Sequence, residues 1–277
     1  MEVDRFDSRA DGRRRQVKTI VVHHLSVALM LGALSGCASP APPTGGSLTS
    51  YSGLTKTKAH RARALERADN VALLAAQTVR IEHVTFAGDA QSKATPAQLA
   101  LLANAMERSL CKRLSTRFNI ATAPDQADLA IKTVVTRIKP TDAAAAGLSL
   151  AVSASILPFA PRIPVGLGGF SAEAEAIQPD GGQAAAMVWS RNADILGGKR
   201  VSAIGDAYDL SISFTHDLAK LLTSPAADLG IKSRDKPVSA ACNIYGKGPG
   251  IVGAVGGLLG ASPKMTDGQR TRSIAPQ

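Results

Sequence analysis

The stretch "GFSAEAEAIQPDGGQAAAMVWSRNA", residues 169–193, decides the fold. Pro179 and Asp180 followed by two glycines make a turn, so the segments on either side read as the two strands of a β-hairpin. Glu173 and Glu175 lie two apart in the first arm and therefore share one face.

Working outward, "DLAIKTVVTRI", 128–138, alternates again. Leu129, Ile131 and Val135 share one face with Thr133, and Ala130, Val134 and Ile138 take the other, which predicts a largely buried strand ended by Pro140. "TVRIEHVTF", 78–86, sets Val79 and Ile81 against Arg80 and Glu82 and predicts another strand. Between them, "TPAQLALLANAMERSLCKRLSTR" opens with Thr95 as N-cap and Pro96 at the first helical position. Leu99, Leu102, Met106, Leu110 and Leu114 recur there at helical spacing. A second helix is expected from an Asp206 cap to Pro225, with Leu210, Phe214, Leu218 and Leu221 as its apolar stripe. Two amphipathic helices can pack on one face of a mainly antiparallel sheet, which gives an α+β two-layer sandwich over residues 71–225. The apolar stretch 143–169, broken by Gly and Pro, has neither period.

The flanks speak of location. Arg13, Arg14, Arg15 and Lys18 precede an apolar run that ends in small residues, the layout of a secretory signal over residues 1–36. "LSGC", 34–37, resembles the bacterial lipobox, with Leu34 in the aliphatic slot and Cys37 as acceptor. The resemblance implies a diacylglyceryl group on the Cys37 sulfur and a third chain on its freed amino group. Two or three chains hold a protein durably where one does not. Ala38 follows Cys37 in place of a retention aspartate, so the expected address is the outer membrane, with its lipid as a partner through acylated Cys37. Cleavage elsewhere would leave Cys37 an ordinary thiol. Residues 37–70, with Pro, Gly and Ser first and then Lys56, Lys58, Arg61, Arg63 and Arg67, read as a tether and basic linker. Residues 226–277 read as a Gly-rich flexible tail.

Composition narrows the function. The chain carries a net charge of +10, and the first 36 residues contribute +2 of it. A basic surface suits anionic envelope components, and for an exported protein nucleic acid is excluded as a partner. Aromatic residues make up only 4%, so the expected core is modest and aliphatic. Cys111 and Cys242 are either bridged, as an oxidising compartment permits, or two separate buried thiols.

"YSGLTKT", "ADLAIKTVVTRI" after the helix "ALLANAMERSLCKRL", and "GGFSAEAEAIQPDGGQAAAMV" before "FTHDLAKLL" together resemble the bacterial lipoproteins grouped as domain-of-unknown-function family 3313, over most of residues 48–222. The resemblance implies a secreted, lipid-anchored domain with no assigned activity and no catalytic residue to carry over. Glu173, Glu175 and Asp180 match the family's best feature. Pro179-Asp180-Gly181-Gly182 departs from its usual Asp-Thr-Gly turn.

No catalytic constellation emerges. The chain after Cys37 has His60, His83 and His216, and no Gly-x-Ser-x-Gly elbow. His216 and Asp217, adjacent on a helix, point about 100° apart and are not expected to form a relay. Neither Cys-x-x-Cys nor His-x-x-x-His occurs. Glu173 and Glu175 could chelate calcium with Asp180; the other reading is a solvated strand face. "GLGGF", 166–170, precedes a strand rather than a helix, which excludes a phosphate loop. No cofactor is expected. Gly253, Gly256, Gly257 and Gly260 have helix-docking spacing in a run too short to span a bilayer.

The leading expectation is a non-enzymatic envelope lipoprotein that binds or helps assemble an unidentified envelope protein. The alternatives are a hydrolase of wall or lipid, and a membrane-associated oligomer using residues 143–170 and 249–261.

Overall fold

A computed structural model describes residues 42–57, 62–123, 126–142, 167–194, 203–235 and 240–246. Its strands are β1 (Thr55–Lys56), β2 (Arg63–Ala68), β3 (Thr78–Ile81), β4 (Thr85–Phe86), β5 (Asn119–Ile120), β6 (Leu129–Lys139), β7 (Gly169–Ile177) and β8 (Gln183–Asn192). Its helices are α1 (Asn70–Ala75), α2 (Gly88–Gln91), α3 (Pro96–Leu114) and α4 (Gly205–Asp228), followed by a 3₁₀ turn, Ala240–Tyr245. The sheet order is β1-β2-β8-β7-β6-β3-β5, with β4 also paired to β6. From β1 through β6 every pairing is antiparallel, and β3, β4 and β5 add short parallel pairings. The architecture is the expected α+β layering.

The hairpin β7–β8 forms the middle of the sheet. Gly181 has φ +87° in its turn, a left-handed conformation that glycine adopts without strain. Asp180 accepts from Gly182 N at 2.9 Å. The two faces of the hairpin differ. Phe170, Ala172, Ala174 and Ala176 face Trp189, Met187 and Ala185 on the helix side. Ala is small enough there to let the helices approach. Phe170, Trp189 and Phe214 fill the remaining depth, with ring centroids 5.9–6.2 Å apart in tilted and edge-on geometries.

α3 begins as the residue types dictate. Thr95 Oγ1 accepts from Gln98 N, and Gln98 returns the bond to Thr95 N, a complete capping box. Leu102, Met106, Leu110 and Leu114 are buried, and so are Leu101, Ala103 and Ala105, so more than one face of the helix is covered. On α4 the buried stripe is Leu210, Phe214, Leu218 and Leu222, with Leu221 only partly buried.

Several expectations are corrected. Residues 63–68 are a strand, not a linker: Arg63, Leu65 and Arg67 alternate with Ala64, Glu66 and Ala68, a period of two that the arginines mask. The stretch 78–86 is broken at Glu82–Val84 into β3 and β4. Asp206 lies in the first turn of α4 and does not cap it. It accepts instead from Thr141 Oγ1 and Gly168 N, at 2.9 and 2.8 Å. Pro225 does not end α4, which continues to Asp228 with Pro225 and Ala226 buried. The described part of the expected tail also packs, since Cys242 and Tyr245 are buried. Cys37, His60 and the Gly253–Gly260 stretch lie outside the described residues, as do residues 143–166.

Cys111 of α3 and Cys242 of the 3₁₀ turn are joined by a disulfide, with Cα atoms 5.6 Å apart and 131 residues of separation. A loop of that length loses much unfolded-state entropy when closed. At the edge of the parallel region, Asp128 accepts from Gln77 N, Thr78 N and Thr78 Oγ1, each at 2.8 Å. The two backbone donors, then the hydroxyl, hold its carboxyl below the ordinary value.

Replacing Cys111 and Cys242 with Ser is expected to lower stability by about 2–5 kcal/mol in urea unfolding under oxidising conditions, and to leave stability unchanged under strong reductant. A depressed carboxyl stabilises the fold above its unfolded pKa and stops doing so as the pH falls through the folded one. Stability should therefore decline on acidification below about pH 4, with Asp128→Asn showing a shallower decline in pH-dependent thermal melts.

Candidate functional site

On the helix side of the sheet, a cleft of about 820 Å³ opens between α4 and the β2 edge. β2 contributes Glu66 and Ala68 because its even-numbered residues face the helices. β8 contributes Arg191, two residues from Trp189 and so on the same face. α4 contributes Ser213, His216, Asp217, Lys220 and Ser224, a polar stripe flanking the one that packs in the core.

The floor of this cleft is tied to the core. Trp189, fully buried, donates from Nε1 to Asp217 Oδ2 at 2.9 Å. Asp217 Oδ1 lies 3.2 Å from His216 Nδ1, and the His216 side chain is 56% exposed. The two adjacent side chains meet because rotation about the side-chain bonds overcomes the divergence of the two Cβ directions. The result is a chain from indole to carboxylate to imidazole that fixes the carboxylate and leaves the ring facing solvent. The lining holds Arg113, Arg191 and Lys220 against Glu66, Asp217 and Asp228, so its formal charges balance. Arg191 is further paired with Asp194 at 2.7 Å. Ile212, Leu221 and Pro225 supply apolar surface. Balanced charge with apolar patches suits a protein segment better than an anionic polymer.

The two glutamates read from sequence lie on the opposite face of the sheet. Glu173 and Glu175 are 1% and 4% exposed, under a strap formed by residues 45–51. Glu173 accepts from Ser47 N at 2.9 Å and from the Tyr51 hydroxyl at 2.6 Å, and also from Gly45 N and Ser47 Oγ. Glu175 accepts from Thr49 N, Thr49 Oγ1 and Gln183 Nε2, at 2.8, 2.9 and 2.7 Å. Gly45 is required for this approach, since a Cβ there would sit 2.3 Å from Thr136 Cγ2. Leu48 closes the strap over Ala186 and Val188, with Tyr51, Leu54 and Leu65 packed alongside. Both earlier readings of the acidic pair are thus corrected. The carboxylates are neither solvated nor open to a calcium ion, because the strap occupies them, and Asp180 is engaged in the hairpin turn.

Burial, followed by the hydrogen bond to Glu173, pushes the Tyr51 phenol above its ordinary value. His83 lies elsewhere, with Nδ1 2.8 Å from Oε1 of the buried Glu107. The sequence reading passed over Arg113, Arg191, Lys220 and the Trp189–Asp217 bond. The alternation of Trp189 and Arg191 along β8, and the recurrence of polar residues from Ser213 to Ser224, were the available signals.

A family model described as "Protein of unknown function (DUF3313)" matches residues 43–218. No curated protein matches the chain. Among solved structures, a PelC dodecamer from Paraburkholderia phytofirmans and a single-residue variant of it are similar, at 11% and 10% identity. Each covers 58% of this chain and 96% of that chain, with a TM-score of 0.35.

Glu173→Ala strands four donors of the strap. It is expected to cost about 2–4 kcal/mol, and limited proteolysis should then cut first within residues 42–51. A raised phenol stabilises the fold below its unfolded pKa and loses that contribution as the pH rises through the folded one. The strap should therefore loosen above about pH 10, and hydrogen exchange at Ser47 and Thr49 should report it.

Proposed function

The chain belongs to the DUF3313 family of proteins of unknown function, and on that premise we propose that it is an outer-membrane lipoprotein that binds or helps assemble another envelope component and catalyses no reaction of its own. Its anchor in this reading is the acylated Cys37 of "LSGC". The folded domain follows closely, since the strap is bound from Gly45 onward. Only seven residues separate that point from the lipidated cysteine, which keeps the domain near the membrane surface.

The observation that carries the binding role is the cleft between α4 and β2. Its polar groups are preorganised by the Trp189–Asp217 bond, its charges balance, and its apolar surface can seat a protein segment. The partner is accordingly an envelope protein that inserts a mixed polar and apolar segment there. The rival reading, a hydrolase of wall or lipid, draws on the His216–Asp217 contact in the same cleft.

Two measurements test this. Labelling with a radioactive fatty acid should be lost in Cys37→Ala; retained labelling would remove the anchor. A photo-crosslinker at Ser213 should capture a discrete envelope protein in intact cells, with Lys220→Glu reducing capture about tenfold. Turnover of a wall or lipid substrate that disappears in His216→Ala would replace the binding role with the hydrolytic one.

A further inference from the structure

A second pocket, of about 380 Å³, lies on the strap side of the sheet and is lined by Arg63, Arg137, Lys139, Ser171, Ser190 and Pro43 among others. Strand register assembles it. Arg63 pairs with Ser190, Ser190 with Ser171, and Ser171 with Arg137, so these four residues form one row across β2, β8, β7 and β6. At about 4.8 Å per strand the two arginines flank the row roughly 14 Å apart. The serines between them are hydrogen-bonded to each other at 3.0 Å. Lys139 stands in the neighbouring row with Gly169 and Asn192. Gly169 has no side chain to fill that row, where a Cβ would lie 2.6 Å from Asn192 Oδ1.

The electrostatics are one-sided. Among the described residues, no carboxylate lines this pocket. Arg63, Arg137 and Lys139 form no ion pair with a carboxylate among the described residues. Three cations around two hydroxyls make a site for a tetrahedral oxyanion, which guanidinium groups bind with paired N–H donors.

Position selects among oxyanions. Pro43 forms one wall, so the chain passes this pocket immediately before it enters the strap. Five residues separate Pro43 from Cys37, and the six steps between them extend at most about 22 Å. We infer that the pocket formed by Arg63, Arg137 and Lys139 binds the phosphate of an anionic phospholipid headgroup, docking the strap face of the sheet onto the membrane. The phosphate chemistry rests on the pocket alone; the choice of lipid over free phosphate rests on the anchor reading.

The test uses the full chain carrying Cys37→Ala, which has no acyl chain at that position. Calorimetric titration compares short-chain phosphatidylglycerol below its micelle concentration, phosphatidylcholine of the same chain length, and inorganic phosphate. Phosphatidylglycerol should bind at least tenfold more tightly than either of the others. The added double change Arg63→Gln and Arg137→Gln should remove most of that preference with an unaltered melting temperature. The basic residues within 1–36 also favour the anionic lipid, but they are the same in both chains, so the part of the preference lost on the double change belongs to the pocket. Equal binding of the two lipids, or a preference undiminished by the double change, overturns the proposal. Inorganic phosphate binding as tightly as phosphatidylglycerol overturns the lipid assignment. Fatty-acid labelling of the unaltered chain separates the two claims. A preference for phosphatidylglycerol without labelling sinks the anchor and keeps the pocket, and labelling without the preference does the reverse.

Discussion

Two acidic side chains buried in the central strand govern much of this structure. A carboxylate removed from water costs several kcal/mol unless donors replace its hydration. Glu173 and Glu175 obtain those donors from the strap, and chiefly from backbone N–H and hydroxyl groups that would otherwise need water themselves. The exchange is reciprocal. A segment rich in Gly, Ser and Thr, with little apolar surface of its own, becomes ordered because it completes the coordination of two acids. The sheet in turn gains a second covered face, and the small Leu48–Ala186–Val188 cluster forms beneath that cover.

The consequence is a sheet with two unlike sides. The helix side holds the aromatic and aliphatic core, with an electrically balanced cleft at its margin. The strap side holds satisfied acids at its centre and a positive pocket toward the opposite end of β7. Alternation along single strands produces both. In β8, Trp189 and Arg191 serve one side while Val188 and Ser190 serve the other. In β2, Glu66 and Arg67 are neighbours in sequence and part company across the sheet. One set of strands thus positions two sites without bringing them into contact.

Elements with a clear period were legible in the sequence. The hairpin turn, the Thr95–Pro96 start of α3 and the alternating β6 all follow from local rules, and the layered class follows from their order. What local rules could not supply was the identity of partners distant in the chain. The strap meets β7 more than 120 residues away, and nothing in "TGGSLTS" marks it as the donor set for two glutamates. Asp206 has the residue type of a helix cap but binds Thr141 and Gly168. Pro225 has the residue type of a helix terminator, yet burial of Pro225 and Ala226 carries the last turn past it. The basic pocket was hidden for a different reason. Its cations come from β2 and β6, and only strand register places them in a common row.

The strap also determines how the domain would bear load. Its attachment runs to the middle strand of the sheet through bonds distributed over two side chains, rather than to an edge strand. Tension applied at the N-terminus would be resisted by several bonds in parallel, instead of unzipping a border one pair at a time. The disulfide between α3 and the 3₁₀ turn restrains the helical layer behind that strand. Mechanical failure should therefore begin with detachment of residues 45–51, leaving the helical layer and its crosslink to yield last.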